Sequence, residues 1–438
     1  MSTLLQNNQI INGELTQQSY SIDTFLGAGT QGEVYRAQAN GRDVAVKWYF
    51  PHYIQNDLQL RQRLENAIRK GSPDNNFLWP LELVTQQNNN TGFGYVMPLR
   101  PNNFKSIVDL MRRRAEPSFH ALISACLALS ESFLQLHAKG LCYRDINFNN
   151  VFFDPNTGDI LICDNDNVDV NGATGAINGT PRFMAPELVR GDSPPNTESD
   201  LFSLSILLFY MLMLHHPLEG KREASIRCFD QSAMNKLYGT EPLFIFDPQD
   251  NSNAPVVGLH DNALVYWVLY PQFLRDVFTR AFTTGIEDQH GRIRENEWRV
   301  ILINLRDSIF YCRCGGQNFY DSDSVKNGEN QKCWACNHLL VYPPRLRINN
   351  AVVMLNHDTK LYPHHTDRSQ KFSFATPQAA VIRHPQDPNR WGLQNLSTNA
   401  WTITLPDNSV KTVEPQRSVN LTAGISINFG NTVAEIRV

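Results

Sequence analysis

The chain has 438 residues, 42% of them hydrophobic and 19% charged, and a formal net charge of −4. That length is too great for one ordinary core and points to about two to four domains, while the composition excludes a disordered polymer. No basic excess offers a general field for nucleic acid or an anionic membrane, so neither is expected as a partner.

Residues 1–19 read as a polar tail, and MSTLLQNNQIINGE lacks the basic-then-apolar order of a secretory leader. From 20 to 50 the residues alternate as in strands. A glycine-rich turn separates YSIDTFL from EVYRAQA, and Asn40-Gly41 marks a hairpin before RDVAVKWY. DLQLRQRLENAIRK has helical spacing and a stop at Gly71. LWPLELV and FGYVMPL add strands, so the first 100 residues predict antiparallel sheet with one helix. Long apolar helices follow at PSFHALISACLALSESFLQLHAKG and at 197–215. The apolar run 201–214 is shorter than the roughly 20 residues of a membrane span and reads as a buried core helix. A stretch rich in Asn, Pro and Asp covers 219–274. DVFTRAF and ENEWRVILINLRDSI read as helices, and short β-like runs over 346–438 suggest a small sandwich.

Gly27-Ala28-Gly29-Thr30-Gln31-Gly32-Glu33-Val34 has the form G-x-G-x-x-G-x-V. A dinucleotide fold would place a helix after such a loop, whereas here a strand and hairpin follow. That context suits a flap over ATP phosphates, with an ordinary glycine hairpin as the other reading. Val44-Ala45-Val46-Lys47 on the third strand favours the flap, because a lysine there reaches α- and β-phosphates. A carboxylate must hold that lysine. Glu65, 18 residues on, is the acidic residue within the helix; a solvated helix carboxylate is its alternative reading.

Tyr143-Arg144-Asp145-Ile146-Asn147-Phe148-Asn149-Asn150 matches H-R-D-x-x-x-x-N with Tyr for His, and ILICD delivers Asp164 fourteen residues later. With these motifs the chain resembles the eukaryotic-type protein kinases. The resemblance implies an α+β, bilobal kinase fold over residues 20–306, with an N-lobe at 20–97, a hinge at 98–100 and a C-lobe at 101–306. It implies ATP and Mg²⁺, transfer to Ser or Thr of a protein substrate, Asp145 acting on the hydroxyl proton, and Asn150 and Asp164 holding the metal. Gly27, Ala28, Gly29, Gly32, Val34, Ala45 and Lys47 would line the nucleotide. In the hinge Met97-Pro98-Leu99-Arg100, the Pro98 carbonyl and Arg100 amide would meet adenine. Gly179-Thr180-Pro181-Arg182-Phe183-Met184-Ala185-Pro186-Glu187 resembles the end of a Ser/Thr kinase activation segment. Asp200 and the Arg292 partner of Glu187 complete the likeness.

Two departures stand out. Asp164-Asn165-Asp166 replaces D-F-G, and Asp166 is read either as an additional carboxylate for Mg²⁺ or as a solvated turn residue. Asn147 stands where Ser/Thr kinases carry a lysine, which keeps a pseudokinase scaffold open as the alternative function. Arg144 suits an activation-segment phosphate, for which Thr174 and Thr180 are candidate sites; Thr174 also reads as a plain loop residue.

Cys312, Cys314, Cys333 and Cys336 lie within 25 residues, apart from the four scattered core-type cysteines. Four thiolates at this spacing suit a structural Zn²⁺ site in a ribbon-like segment at 307–345, against free cysteines or a redox pair, with His338 in reserve. Residues 346–438 faintly resemble a forkhead-associated domain through LQNLSTNAW and GISINFG, without the arginine and Ser-x-x-His of a phosphothreonine pocket. LCYRDINFNNVFFDP, ICDNDNVDV and GTPRFMAPELVRGD, followed by the cysteine segment, resemble the kinase member of the bacterial tellurium-resistance-linked phosphorylation triads. That resemblance implies a cytoplasmic location and, as partners, a von Willebrand A-type protein and a PP2C-type phosphatase.

Overall fold

The computed structural model describes residues 3–86, 89–171, 179–329, 331–367, 369–370, 373–387 and 389–438. The chain divides into two compact units, Met1–Trp267 with Asp276–Arg299 and Val268–Arg275 with Val300–Val438.

The first unit opens with a closed antiparallel barrel in the order β1(Ile10–Gly13), β2(Ser19–Ala28), β3(Gly32–Ala39), β4(Arg42–Tyr49), β6(Asn89–Pro98), β5(Glu82–Gln86). The expected tail at 1–19 is therefore corrected. Strand β1 bonds to both β2 and β5 and closes the sheet, and Leu5 and Ile11 are buried in its core beside Tyr35 and Val46. Glu82 anchors the turn that follows, accepting from Thr16 Oγ1 (2.7 Å) and Tyr20 Oη (2.5 Å). This segment escapes a sequence reading because the run is four residues long and its two isoleucines are adjacent, one exposed and one buried. The single expected helix is two, α1(Pro51–Asn56) and α2(Leu60–Lys70). Pro51 starts the first at a position where its missing N–H costs nothing.

The helical half of this unit is built around α4(Phe119–Ala138) and α6(Thr197–Met213), preceded by the short, boxed α3(Ile107–Met111). Among the described residues α4 alone is long and apolar enough to cross a membrane. Its Ile123, Cys126, Leu129 and Phe133 are instead buried in the lobe. Asn196 caps α6 with a reciprocal capping box, so the apolar run begins at a defined residue. The polar stretch after Glu219 folds into short helices around the buried Asn253. Its Nδ2 donates to the Leu218 and Leu243 carbonyls (2.9 and 2.7 Å).

In the second unit, a hairpin (Ile309–Tyr311 with Gln317–Phe319) leads into six- and four-stranded antiparallel sheets sharing one apolar core that includes Leu346, Leu393, Trp401 and Ile427. The boundaries expected at 307, 345 and 346 therefore do not separate compact bodies. Phe310 and Tyr320 of the cysteine segment pack with Met354 of the first sheet.

His137 on α4 lies between Asp200 (3.2 Å) and Glu295, one-tenth exposed. Burial alone would lower its pKa, but hydrogen bonds to Asp200 and then Glu295 outweigh this and hold it at about 9. A histidine with a raised folded pKa stabilises fully below its unfolded value near 6.5 and loses that contribution as pH rises through the folded one. Unfolding free energy should therefore fall from about pH 6.5 to 9, by up to roughly 3 kcal/mol. In urea melts across pH, His137→Asn should flatten that slope.

Candidate active site

Strands β2 and β3 meet at the glycine turn, closed by Gly29 N–H donating to Gly32 C=O (2.9 Å). A Cβ on Gly32 would lie 2.2 Å from the Trp48 carbonyl oxygen, so the neighbouring strand itself demands glycine. A Cβ on Gly27 or Gly29 would meet nothing, leaving the loop's face open to a ligand. Ala45 and Met97 are paired across β4 and β6. They share one apolar cluster with Val34, Leu99 and Leu161, which forms walls suited to a flat base. Pro98 follows at the exposed end of β6, and Arg100 turns away to stack on Phe152 (4.0 Å) and to donate to Phe104 C=O (2.9 Å).

Lys47 on β4 is buried, and its ammonium donates to Gln31 Oε1 (2.6 Å), Asp166 Oδ2 (2.8 Å) and Asp164 Oδ1 (3.2 Å). Burial pulls its pKa down, but Asp166 first and Asp164 next outweigh that and hold the ammonium charged well above its ordinary value. Asp164 follows β10(Ile160–Ile162) in a left-handed conformation (φ 51°), with a side chain two-fifths exposed.

The catalytic loop hangs from α6. Asp200 accepts from the backbone N–H groups of Tyr143 (2.5 Å) and Arg144 (3.0 Å), which holds Arg144 at φ 73°. Asp145 Oδ1 then accepts from Thr180 Oγ1 (2.7 Å). Asn147 Nδ2 reaches both the Asp145 carbonyl (3.1 Å) and Thr180 (3.2 Å). Asn150 Nδ2 donates to the Asp145 carbonyl (2.9 Å), leaving its amide oxygen as an acceptor, and its own carbonyl ties to Cys163 N–H (2.8 Å). An amide oxygen from Asn150 and a carboxylate from Asp164 form the hard-oxygen donor set that suits Mg²⁺.

Glu65 is not brought to Lys47. Its carboxylate takes Arg61 (3.1 Å) on the outer face of α2, while the inward positions are Leu60, Arg63, Leu64 and Ala67, and Arg63 is spent on Asp57. Helical phase decides this: residue 65 falls beside 61, on the solvated stripe. Asp166 is not a solvated turn residue. Its side chain is fully buried, and one oxygen takes both Lys47 and the Tyr49 hydroxyl (2.5 Å). Arg144 pairs with Asp169 (3.2 Å). Thr174 lies outside the described residues.

Gln31, Tyr49 and Asp169 were not found from the sequence. For Tyr49 a signal existed, since it is two residues beyond Lys47 and so on the same face of the strand. Downstream, the buried pair of Arg292 with Glu187 (2.8 and 2.9 Å) braces the segment after Thr180. Arg182 is held by Glu219 (2.8 Å) from the polar stretch.

In the second unit the sulfurs of Cys312, Cys314, Cys333 and Cys336 lie within 4.8 Å of one another. Two tight turns present them, Cys312 N–H to Gly316 C=O (2.9 Å) and Asn337 N–H to Cys333 C=O (2.8 Å). His338 is not among these ligand atoms.

Residues 20–262 match the family model described as a protein kinase domain. The chain is 25% identical over 227 residues to Serine/threonine-protein kinase mos of Patiria pectinifera, covering 49% of this chain and 63% of that protein. It is 25% identical over 221 residues to Probable serine/threonine-protein kinase PknB of Corynebacterium glutamicum, covering 46% and 32%. It is 26% identical over 219 residues to Protein kinase C zeta type of Oryctolagus cuniculus, covering 48% and 36%. The chain thus spans less than two thirds of the length of each of these relatives. Because the model matches more than half of its residues, the chain belongs to the protein kinase family.

Proposed function

We propose that this chain is an active kinase that moves the γ-phosphoryl group of ATP to Ser or Thr of a protein. The observation that carries this reading is the Asp145 carboxylate, which already accepts from a threonine hydroxyl at 2.7 Å while Asn150 braces its backbone. A substrate hydroxyl at that carboxylate would attack the γ-phosphorus. The new O–P bond would form as the bond to ADP breaks, and the proton would pass to Asp145. Mg²⁺ held by Asn150 and Asp164 would neutralise the phosphate charge, and Lys47 would orient the α- and β-phosphates. The relatives' names as Ser/Thr kinases support the acceptor class. Asn147, in place of a lysine, favours the pseudokinase alternative. Against it, Asn147 is employed in orienting Thr180 and the Asp145 carbonyl.

The reading extends to a structural zinc ion on the four cysteines, a cytoplasmic setting, and partners of the von Willebrand A and PP2C types. A phosphothreonine-binding role for 346–438 is not part of this reading, because that stretch contains no Ser-x-x-His. Since Asp169 already supplies a carboxylate to the buried Arg144, activity should not need a phosphate on Thr174.

Three measurements check these points. With labelled ATP, Mg²⁺ and casein, the chain should incorporate label, and Asp145→Ala should lower the rate by about 10²- to 10⁴-fold; equal rates would sink the kinase reading. Phosphatase-treated protein and Thr174→Ala should keep the untreated rate, whereas Asp169→Asn, which removes the negative charge beside a buried guanidinium, should lose about tenfold or more. The purified chain should carry about one zinc by mass spectrometry of metals. Cys312→Ser with Cys336→Ser should lose it and lower the unfolding midpoint of the second unit.

A further inference from the structure

Protein lysines that orient phosphates need a fixed carboxylate, because a buried ammonium without one is displaced or neutralised. In this chain the candidate on α2 faces outward, and no inward position of α2 is acidic. Asp164 is an unsuitable permanent partner, since the same carboxylate is needed at the metal. That leaves Asp166. Its Oδ2 is 2.8 Å from Lys47 Nζ and 2.5 Å from Tyr49 Oη, and its side chain is fully buried. Lys47 and Tyr49 project from one face of β4 and grip the carboxylate together. The turn that carries Asp166 (Asn165–Asn167) is fixed in its own right: Asn165 Nδ2 donates to Ile162 C=O (3.0 Å) and Asn167 Oδ1 accepts from Gln31 (3.1 Å).

We propose that Asp166, held by Tyr49, is the positioning residue that presents Lys47 to the nucleotide, in the role left vacant by α2. The inference rests on the kinase reading and deepens it. It assigns a purpose to the D-N-D departure: the segment that delivers the metal-binding aspartate also delivers the lysine's partner two residues later. Lysine alignment is thereby tied to the metal-binding segment and freed from the placement of α2. A glycine at 166 would lack this carboxylate, so the departure at 166 and the outward Glu65 belong together.

The test uses the full chain and its Asp166→Asn, Asp166→Glu, Tyr49→Phe and Glu65→Ala variants. Binding of a fluorescent ATP analogue with Mg²⁺ is read beside steady-state phosphorylation of casein. Loss of one charge-assisted hydrogen bond predicts that Asp166→Asn weakens ATP binding, and raises KM for ATP, by about tenfold to a hundredfold. KM for casein should stay constant. Asp166→Glu should recover part of the loss, Tyr49→Phe should show a smaller loss of the same kind, and Glu65→Ala should match the parent. Should Asp166→Asn fail to fold, Tyr49→Phe carries the test, since it keeps the ring and removes only the grip. Parent-like ATP binding by Asp166→Asn or, in that event, by Tyr49→Phe overturns the proposal, as does a loss confined to Glu65→Ala. If the parent binds the analogue but labels nothing, the kinase reading fails, while the binding comparison still decides the role of Asp166.

Discussion

A single buried ammonium organises the nucleotide side of this molecule. Lys47 is out of water, and its three protons are answered by groups from two distant stretches of chain: the glycine turn and the segment after β10. A buried charge tolerates no vacancy among its partners. The turn at Asn165–Asn167, the hydroxyl of Tyr49 and the amide of Gln31 are therefore constrained together. The opposite side of the site obeys a similar rule with signs reversed. Asp200 is a buried carboxylate answered by two backbone N–H groups and by His137, and this fixes the loop that carries Asp145.

Much of this was legible in the sequence. The motifs around Gly27, Lys47, Asp145, Asn150, Asp164 and Glu187 are short, local and spaced by the chemistry of phosphate handling. Reading them in order sufficed to anticipate a two-lobed kinase, and the structure brings Lys47 to Asp164 and Thr180 to Asp145. Glu65 failed for a definable reason. Helix phase relative to the core decides direction, and one residue is about 100° of rotation. The solvated-turn reading of Asp166 failed because turn aspartates usually face water, and no one-dimensional signal marks this one as buried.

The lead-in that carries the strand Ile10–Gly13 and the stretch after Glu219 share another cause. Each is polar by composition and is ordered by a few side chains acting as hubs, Glu82 in one and Asn253 in the other. Such hubs gather hydrogen bonds from residues far apart in sequence, which window-based patterns do not register. The four cysteines behave oppositely, because two compact turns with their own backbone hydrogen bonds bring the thiols together.

Gln31 sits at the tip of the glycine turn and touches Lys47 on one side and Asn167 on the other. Its amide oxygen accepts from the ammonium while its amide nitrogen donates to the asparagine. One carboxamide therefore couples the glycine turn, the buried ammonium and the turn at Asn165–Asn167, so that a displacement of any one of them is felt by the other two.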